Sequence, residues 1–315
     1  TNVVAQEVHF FGFSQINFEQ GKNQDQERPF FAIDKARIGL RVKKKQVWGK
    51  VLVDLVKTSS TDLIDVPELV KDAEIGFKLS NSWSTKFGLF KSPIGLEFNS
   101  SGSKLHVAKR GMEKPLVFER ALGAMVSARK LSNFNFDLGY FNPPNRSGAV
   151  TSGDRDEQSA IASRIGYRSE NFSGEISYGY AHEAGGSGSE SYQVIDLGFR
   201  YGWRKWNFLF EAVHGLNIKG VKDAKQTVAF AHVGYFADEK YELILRHYHG
   251  VHTSSTDTET TLGNTVIGLN YFFYEKIHDT KIILNYIFSS GDRDSWGGLS
   301  AYRRNAFVTQ FQTSF

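Results

Sequence analysis

The stretch 304–315 reads Arg304-Asn305-Ala306-Phe307-Val308-Thr309-Gln310-Phe311-Gln312-Thr313-Ser314-Phe315. Taken as a strand, it puts Phe307, Thr309, Phe311, Thr313 and Phe315 on one face and Gln310, Gln312 and Ser314 on the other, because successive side chains point to opposite sides. An apolar, aromatic face carried to the last residue is costly in water. It suits a strand that closes a barrel inside a bilayer, with that face against lipid. The alternative from these residues alone is the edge strand of a soluble sandwich.

Composition supports the first reading. A chain of 315 residues allows two soluble domains or one large barrel. It has no Cys, 26 Phe, 13 Tyr, 5 Trp, 30 Gly, 6 Pro and 2 Met. Strand formers separated by glycine and polar turns imply an all-β chain, and the lack of cysteine excludes disulfides and cysteine-ligated metals. Mean hydropathy is −0.35. No apolar run is long enough for a helical span, but a barrel strand turns only every second residue to lipid. The formal charge of +4 is too small to imply nucleic acid. The chain opens on Thr1, which we read as the mature form of a protein exported to the bacterial outer membrane with a cleaved signal peptide.

Alternation predicts about sixteen strands in one domain, 1–315. The series begins with 8–18, 31–42 and 47–55 and runs through 227–236, 241–245, 265–273 and 282–288 to the closing stretch. In the first of these, Phe11 and Phe13 spoil the polar face. The connections alternate in length. Short ones fall at 44–46, 81–82, 131–133, 169–171, 205 and 238–240. Long ones fall at 20–28, 58–67, 92–119, 142–158, 183–191, 216–225, 253–260 and 290–303. Tight periplasmic turns and long outer loops give this asymmetry, and an even strand number puts both termini on the short-turn side. The predicted fold is an all-β, 16-stranded antiparallel transmembrane β-barrel.

Charges identify the inner face. Ala36, Ile38, Leu40 and Val42 alternate with Lys35, Arg37, Gly39, Arg41 and Lys43; Ile195, Leu197, Phe199 and Tyr201 alternate with Asp196 and Arg200. A Lys or Arg facing lipid at mid-bilayer costs about 2–4 kcal/mol, so these point into a lumen that should hold water. Aromatics near strand ends (Phe172, Tyr178, Tyr180, Tyr235, Phe236, 271–274) suit interfacial girdles. The connection 92–119 is the third long one and is expected to fold inward. It carries Lys104, His106, Lys109, Arg110 and Lys114 against Glu97, Glu113 and Glu119. With Lys35, Arg37, Arg41 and Lys43 on one strand, and Arg129, Arg164, Arg200 and Arg246 elsewhere, it forms a candidate anion filter. Asp54, Asp72, Glu74, Asp137, Glu175, Asp196, Glu211 and Glu242 also face inward, so a balanced, weakly selective lumen is the competing reading.

Gly88-Leu89-Phe90-Lys91-Ser92-Pro93-Ile94-Gly95-Leu96-Glu97 enters that loop, and Lys109-Arg110-Gly111-Met112-Glu113-Lys114 and Phe118-Glu119-Arg120 follow it. This resembles the G-x-F-K-x-P-[FI]-G-x-E signature of the phosphate-selective porins O and P. The resemblance implies sixteen strands, a homotrimer in lipid and lipopolysaccharide, and a basic eyelet for phosphate-like anions; channels of this broad group also pass small organic acids. The loop is richer in Lys than Arg, the better bidentate partner for phosphate, and no dense arginine ladder is visible beyond the second strand.

Other chemistry is weakly signalled. An outer-membrane enzyme or adhesin is the alternative class, but spacing assembles no Ser-His-Asp triad, and we expect no enzymatic activity and no cofactor. His247, His249 and His252 suit a metal, yet the first two share the face of Leu243 and Leu245 and read as interfacial. Asp292 and Asp294, and Asp154 with Asp156, suggest acidic outer loops. Gly185-Gly186-Ser187-Gly188 lacks the rest of a phosphate loop and reads as a flexible connection.

Overall fold

A computed structural model describes residues 7–21, 28–56, 69–142, 159–184, 188–274, 278–298 and 302–315. Among these residues sixteen strands follow one another: β1 Glu7–Gln20, β2 Phe30–Lys44, β3 Val47–Asp54, β4 Val70–Lys78, β5 Trp83–Lys91, β6 Arg120–Leu131, β7 Phe134–Asn142, β8 Ser159–Arg168, β9 Phe172–His182, β10 Tyr192–Trp203, β11 Trp206–Leu216, β12 Lys225–Phe236, β13 Tyr241–Thr253, β14 Glu259–Phe272, β15 Thr280–Gly291 and β16 Ala306–Ser314. Each pairs antiparallel with its sequence neighbours, and β16 pairs with β1 to close the barrel. The sixteen expected strands are present with shifted ends. The largest shift is in β13, expected to stop at residue 245; it runs on to Thr253, so His247 and His249 lie within the strand, facing outward, rather than at its end.

The seam pairs residues 13–20 with 307–314 and is completed by backbone bonds at Gly12. Its N donates to Phe315 O at 3.0 Å, and Phe315 N donates to Gly12 O at 3.1 Å. A Cβ on Gly12 would stand 2.6 Å from the Phe315 ring and 2.4 Å from the Arg37 carbonyl oxygen. The terminal ring therefore covers a position where a side chain would collide.

Outward positions carry exposed apolar side chains around the wall, among them Ile38, Val51, Ile75, Phe87, Leu138, Ile165, Leu197, Leu245, Ile267 and Phe311. The inward positions carry nearly all the strand charges. This is the reverse of a water-soluble barrel and the arrangement of one standing in lipid. Aromatic pairs band the short-turn end, including Phe134–Tyr167 at 5.2 Å, Trp206–Tyr235 at 4.6 Å and Tyr241–Tyr271 at 5.1 Å between ring centroids. Phe272, expected in that girdle, instead points inward and is fully buried, 6.2 Å from Phe236 and 5.8 Å from His278.

The interior is divided. The 92–119 connection enters the barrel, carrying the one-turn helix α1 Leu96–Asn99 and short 3-10 turns at Gly102–Lys104 and Lys114–Leu116. Ile94, Phe98, Met112, Leu116 and Phe118 are buried in one cluster with Val194, Val213, Phe230, Ile244, Val266 and Ile287 from the wall. The expectation of a polar lumen throughout is thereby corrected: inward positions of β10–β15 are often apolar because the loop covers them. The connection 58–67 and, beyond Asn142, the connection 142–158 with Asp154 and Asp156 lie outside the described residues, as do 22–27, 275–277, 299–301 and Gly185-Gly186-Ser187.

The seam gives a paired test. Gly12→Val should destabilise the barrel by about 2 kcal/mol through overpacking, read as a lower thermal unfolding temperature in detergent. Gly49→Ala should be nearly neutral, because a Cβ there meets only the Glu74 carbonyl oxygen, at 3.8 Å. Equal effects would contradict the packing at the seam.

Candidate constriction and lumen lining

The resembling motif builds the neck of the inward loop. Ser92 N donates to Glu119 O at 3.2 Å and Ser92 Oγ to Phe118 O at 2.5 Å, tying the two ends together. Gly95 has φ of +87°, and a Cβ there would meet Val117 Cγ1 at 2.9 Å. Lys91 Nζ donates to the carbonyls of Phe98 and of Ser100, the latter at 2.9 Å. Arg110 donates to Ser100 O at 2.7 Å and Glu97 O at 3.1 Å. These cations give the carbonyls of Phe98 and Ser100 donors that so short a helix lacks.

The far side of the loop is fastened to the wall. Arg246 Nη1 donates to Glu97 Oε2 at 2.8 Å, with both side chains buried, and Glu97 N donates to Glu211 Oε2 at 2.9 Å. His106 Nδ1 lies 2.8 Å from Glu242 Oε1. Asn270 Nδ2 donates to His106 O at 2.9 Å, Lys281 Nζ to Leu105 O at 2.6 Å, and Gln310 Nε2 to Ala108 O at 3.0 Å. Lys109 pairs with Glu19. Burial opposes ionisation of Glu97, but the bonded Arg246 guanidinium together with Arg110 and Arg200 outweighs it and holds the carboxyl below its usual range. Glu113, buried and close to the Glu97 charge, is pushed up to about 7. Its Oε1 accepts from Gly111 N at 3.1 Å.

Open space remains between the loop and the other half of the wall. Two adjoining spaces of about 480 and 420 Å³ share Asn99, Ser101, Arg129 and Arg164. The first is also lined by Arg37, Arg41, Lys50, Lys86, Lys91 and Arg120, and the second by Lys104, Arg168 and Arg200. The acids lining them are Asp72, Glu74 and Glu175. Pairing offsets part of this charge. Arg37 bonds Asp54 at 2.8 Å, Lys50 and Arg120 share Asp72 at 2.5 and 2.7 Å, and Lys86 holds Glu74 at 2.9 Å. Arg129 and Arg164 share Asp137 at 2.5 and 2.6 Å. Arg41, Lys91, Lys104, Arg168 and Arg200 have no carboxylate within 4.0 Å among the described residues. Arg200 bonds instead to Leu96 O at 3.1 Å and Ser100 Oγ at 2.6 Å.

The expected filter residues thus divide. Arg37, Arg41, Lys104, Arg129, Arg164 and Arg200 come together around the open spaces. The other six line neither space. Lys35 is bonded to Asp34 at 2.5 Å and Gln15 at 2.8 Å, and Lys43 pairs with Glu7 at 3.0 Å near the short-turn rim. Lys109, Arg110 and Arg246 fasten the loop, and Lys114 is exposed on its second 3-10 turn. The missed lining residues are Lys50, Lys86, Lys91, Arg120 and Arg168. Lys50 stands opposite Arg41 in the register, so the alternation that marked Asp72 and Glu74 as inward would have found it. The arginine row beyond β2 does exist, spread one or two per strand over β6, β8 and β10.

His106, His232 and Glu242 were also missed as a group. Their candidate ligand atoms lie within 4.8 Å of one another. Each already has a partner: His106 bonds Glu242, and His232 meets Asn207 Oδ1 at 3.1 Å through Nε2 and Arg246 Nε at 3.3 Å through Nδ1. The trio is a latch between loop and wall.

No protein-family model matches the sequence, and no curated protein matches it. Solved structures do match in fold. The anion-selective porin of Comamonas acidovorans is 13% identical with a TM-score of 0.72, covering 99% of this chain and 100% of that one. The trimer form of OmpT, an outer membrane protein of Vibrio cholerae, is 13% identical with a TM-score of 0.71 over 99% and 100%. The outer membrane channel DcaP of Acinetobacter baumannii is 12% identical with a TM-score of 0.64 over 100% and 99%. The chain therefore shares the 16-stranded fold found in outer-membrane porins.

Two tests address the loop. Arg246→Met leaves the Glu97 carboxylate buried without its partner, which costs about 3–5 kcal/mol; single-channel conductance should rise as the loop loosens, and unchanged conductance and stability would contradict the latch. Glu113 retains a proton in the folded chain at pH values where the unfolded chain, titrating near 4.5, has lost it. Stability therefore falls as pH rises from 4.5 to about 7. Glu113→Gln should raise the unfolding temperature at pH 8 and change it little at pH 4.

Proposed function

We propose that the chain is a porin of the bacterial outer membrane, a water-filled channel through which small anions diffuse down their gradient. The observation that carries this reading is the unequal charge of the open spaces, where Lys and Arg face Asp72, Glu74 and Glu175 as the lining acids. Arg200 strengthens it, because it is held by a carbonyl and a hydroxyl oxygen rather than by a carboxylate, so no acid offsets its charge. In a narrow passage with low-dielectric walls, such charges raise the local concentration of anions and exclude cations. Phosphate and small organic acids are the solutes it would favour. The resemblance to phosphate-selective porins and the anion-selective porin among the structural neighbours support the same sign. The barrel would stand among lipid and lipopolysaccharide as a homotrimer, a state supported by the trimer form of the Vibrio cholerae neighbour. Export would use a cleaved signal peptide. Transport of this kind requires no bond-making step.

The test is the reversal potential of the purified protein in a planar bilayer under a KCl gradient. An anion-selective potential is expected. Arg200→Gln should lower the chloride-to-potassium permeability ratio roughly twofold, as for loss of about 0.5 kcal/mol of attraction, while Lys43→Gln should leave it unchanged. A cation-selective channel would reduce the account to a general porin, and no conductance at all would sink the channel.

A further inference from the structure

The larger open space has an apolar side that an inorganic anion does not need. Phe11 and Phe13, the residues that spoil the alternation of β1, both line it. Phe11 stands opposite Gly39 in the register, and its ring lies over that glycine, where a Cβ would be 2.4 Å from Cζ. The Arg41 guanidinium is 5.9 Å from the Phe11 centroid, the Arg37 guanidinium 5.5 Å from that of Phe13, and Lys86 Nζ 4.0 Å from that of Phe90. Three ring–cation pairs thus line the space. Supporting the guanidiniums explains part of this pattern. It does not explain Leu52, Pro93 and Met125, which line the same space and have no ring to offer a cation.

We propose that this space takes organic anions bearing an apolar group, aromatic carboxylates foremost. The proposal rests on the anion-channel reading and narrows its substrate class. Guanidinium and carboxylate make charge-assisted, bidentate hydrogen bonds. The Arg37 and Arg41 groups would take the carboxylate while the solute ring lies along Phe11 and the aliphatic wall. Stacking on an offset or edge-on ring adds attraction that a short aliphatic acid cannot gain. A space of about 480 Å³ admits a one-ring acid with water. The apolar strip would also shed such a solute readily, since it carries no hydrogen-bonding group of its own.

The experiment compares benzoate with acetate, which present the same carboxylate, as blockers of chloride current through single channels. Wild-type protein should be half-blocked by benzoate at a concentration about tenfold below that for acetate. In Phe11→Ser and Phe13→Ser the ratio should fall to near unity. Equal block by the two acids in the wild type would overturn the proposal, and that comparison stands even where a variant fails to fold. A ratio that survives both substitutions would overturn it too, because the rings would then serve only to hold the arginines. The KCl reversal potential keeps the two readings apart. Cation selectivity there would remove the anion channel itself, whereas anion selectivity with equal acids would remove only the preference for apolar anions.

Discussion

Hydrocarbon offers no partner to a backbone amide, so a chain that spans lipid with strands must close its sheet. The exchange between Gly12 and Phe315 completes that closure. Closure then sorts every other residue. With an inside and an outside on each strand, Ile38 and Leu197 go to the lipid face while Arg37 and Asp196 go to the interior. Sixteen strands enclose more room than side chains can fill, and the inward loop occupies much of the remainder.

The loop makes the interior lopsided, and that asymmetry sets where open space remains. On the side of β9–β16 the loop is packed with apolar side chains and fastened by Arg246, Glu242, Asn270, Lys281 and Gln310. On the side of β1–β8, reaching Glu175 of β9 and Arg200 of β10, open space remains, and the wall there carries most of the lysines and arginines. Acids are not scarce inside the barrel. Glu97, Glu113, Asp196, Glu211 and Glu242 are buried beneath or within the loop, away from the open space. A balanced count of inward charges thus becomes an unbalanced surface once the loop is in place.

The strand number and the antiparallel order were legible because alternation and loop length are local signals; the inward fold of 92–119 was expected only from its likeness to the third loop of porins. The motif residues were legible too, and each has a structural role. Ser92 closes the neck, Gly95 turns the chain, and Glu97 meets Arg246. The candidate filter was only half legible. Sequence shows which charges face inward but not which of them the loop covers, so Arg246 and Lys109 were indistinguishable from Arg164 and Arg200. Parity also slips where the ladder is irregular. Gln15 faces Lys35 but Ile16 faces Ile33, so β2 changes face at Asp34. Val194, Val228 and Ile283 blurred the inner face because they pack on the loop or on neighbours rather than meeting water.

The sign of the field in the passage can be read at one atom. The chain has no cysteine, so Ser101→Cys would place a single thiol at a residue lining both open spaces. The measurement is its rate of modification by negatively and positively charged methanethiosulfonates of similar size, with the protein in a lipid bilayer. A cationic passage concentrates the anionic reagent, and the account predicts that it reacts more than about tenfold faster, as expected of a potential of several kT. Equal rates, or a faster cationic reagent, would contradict a lumen whose open half is governed by its lysines and arginines.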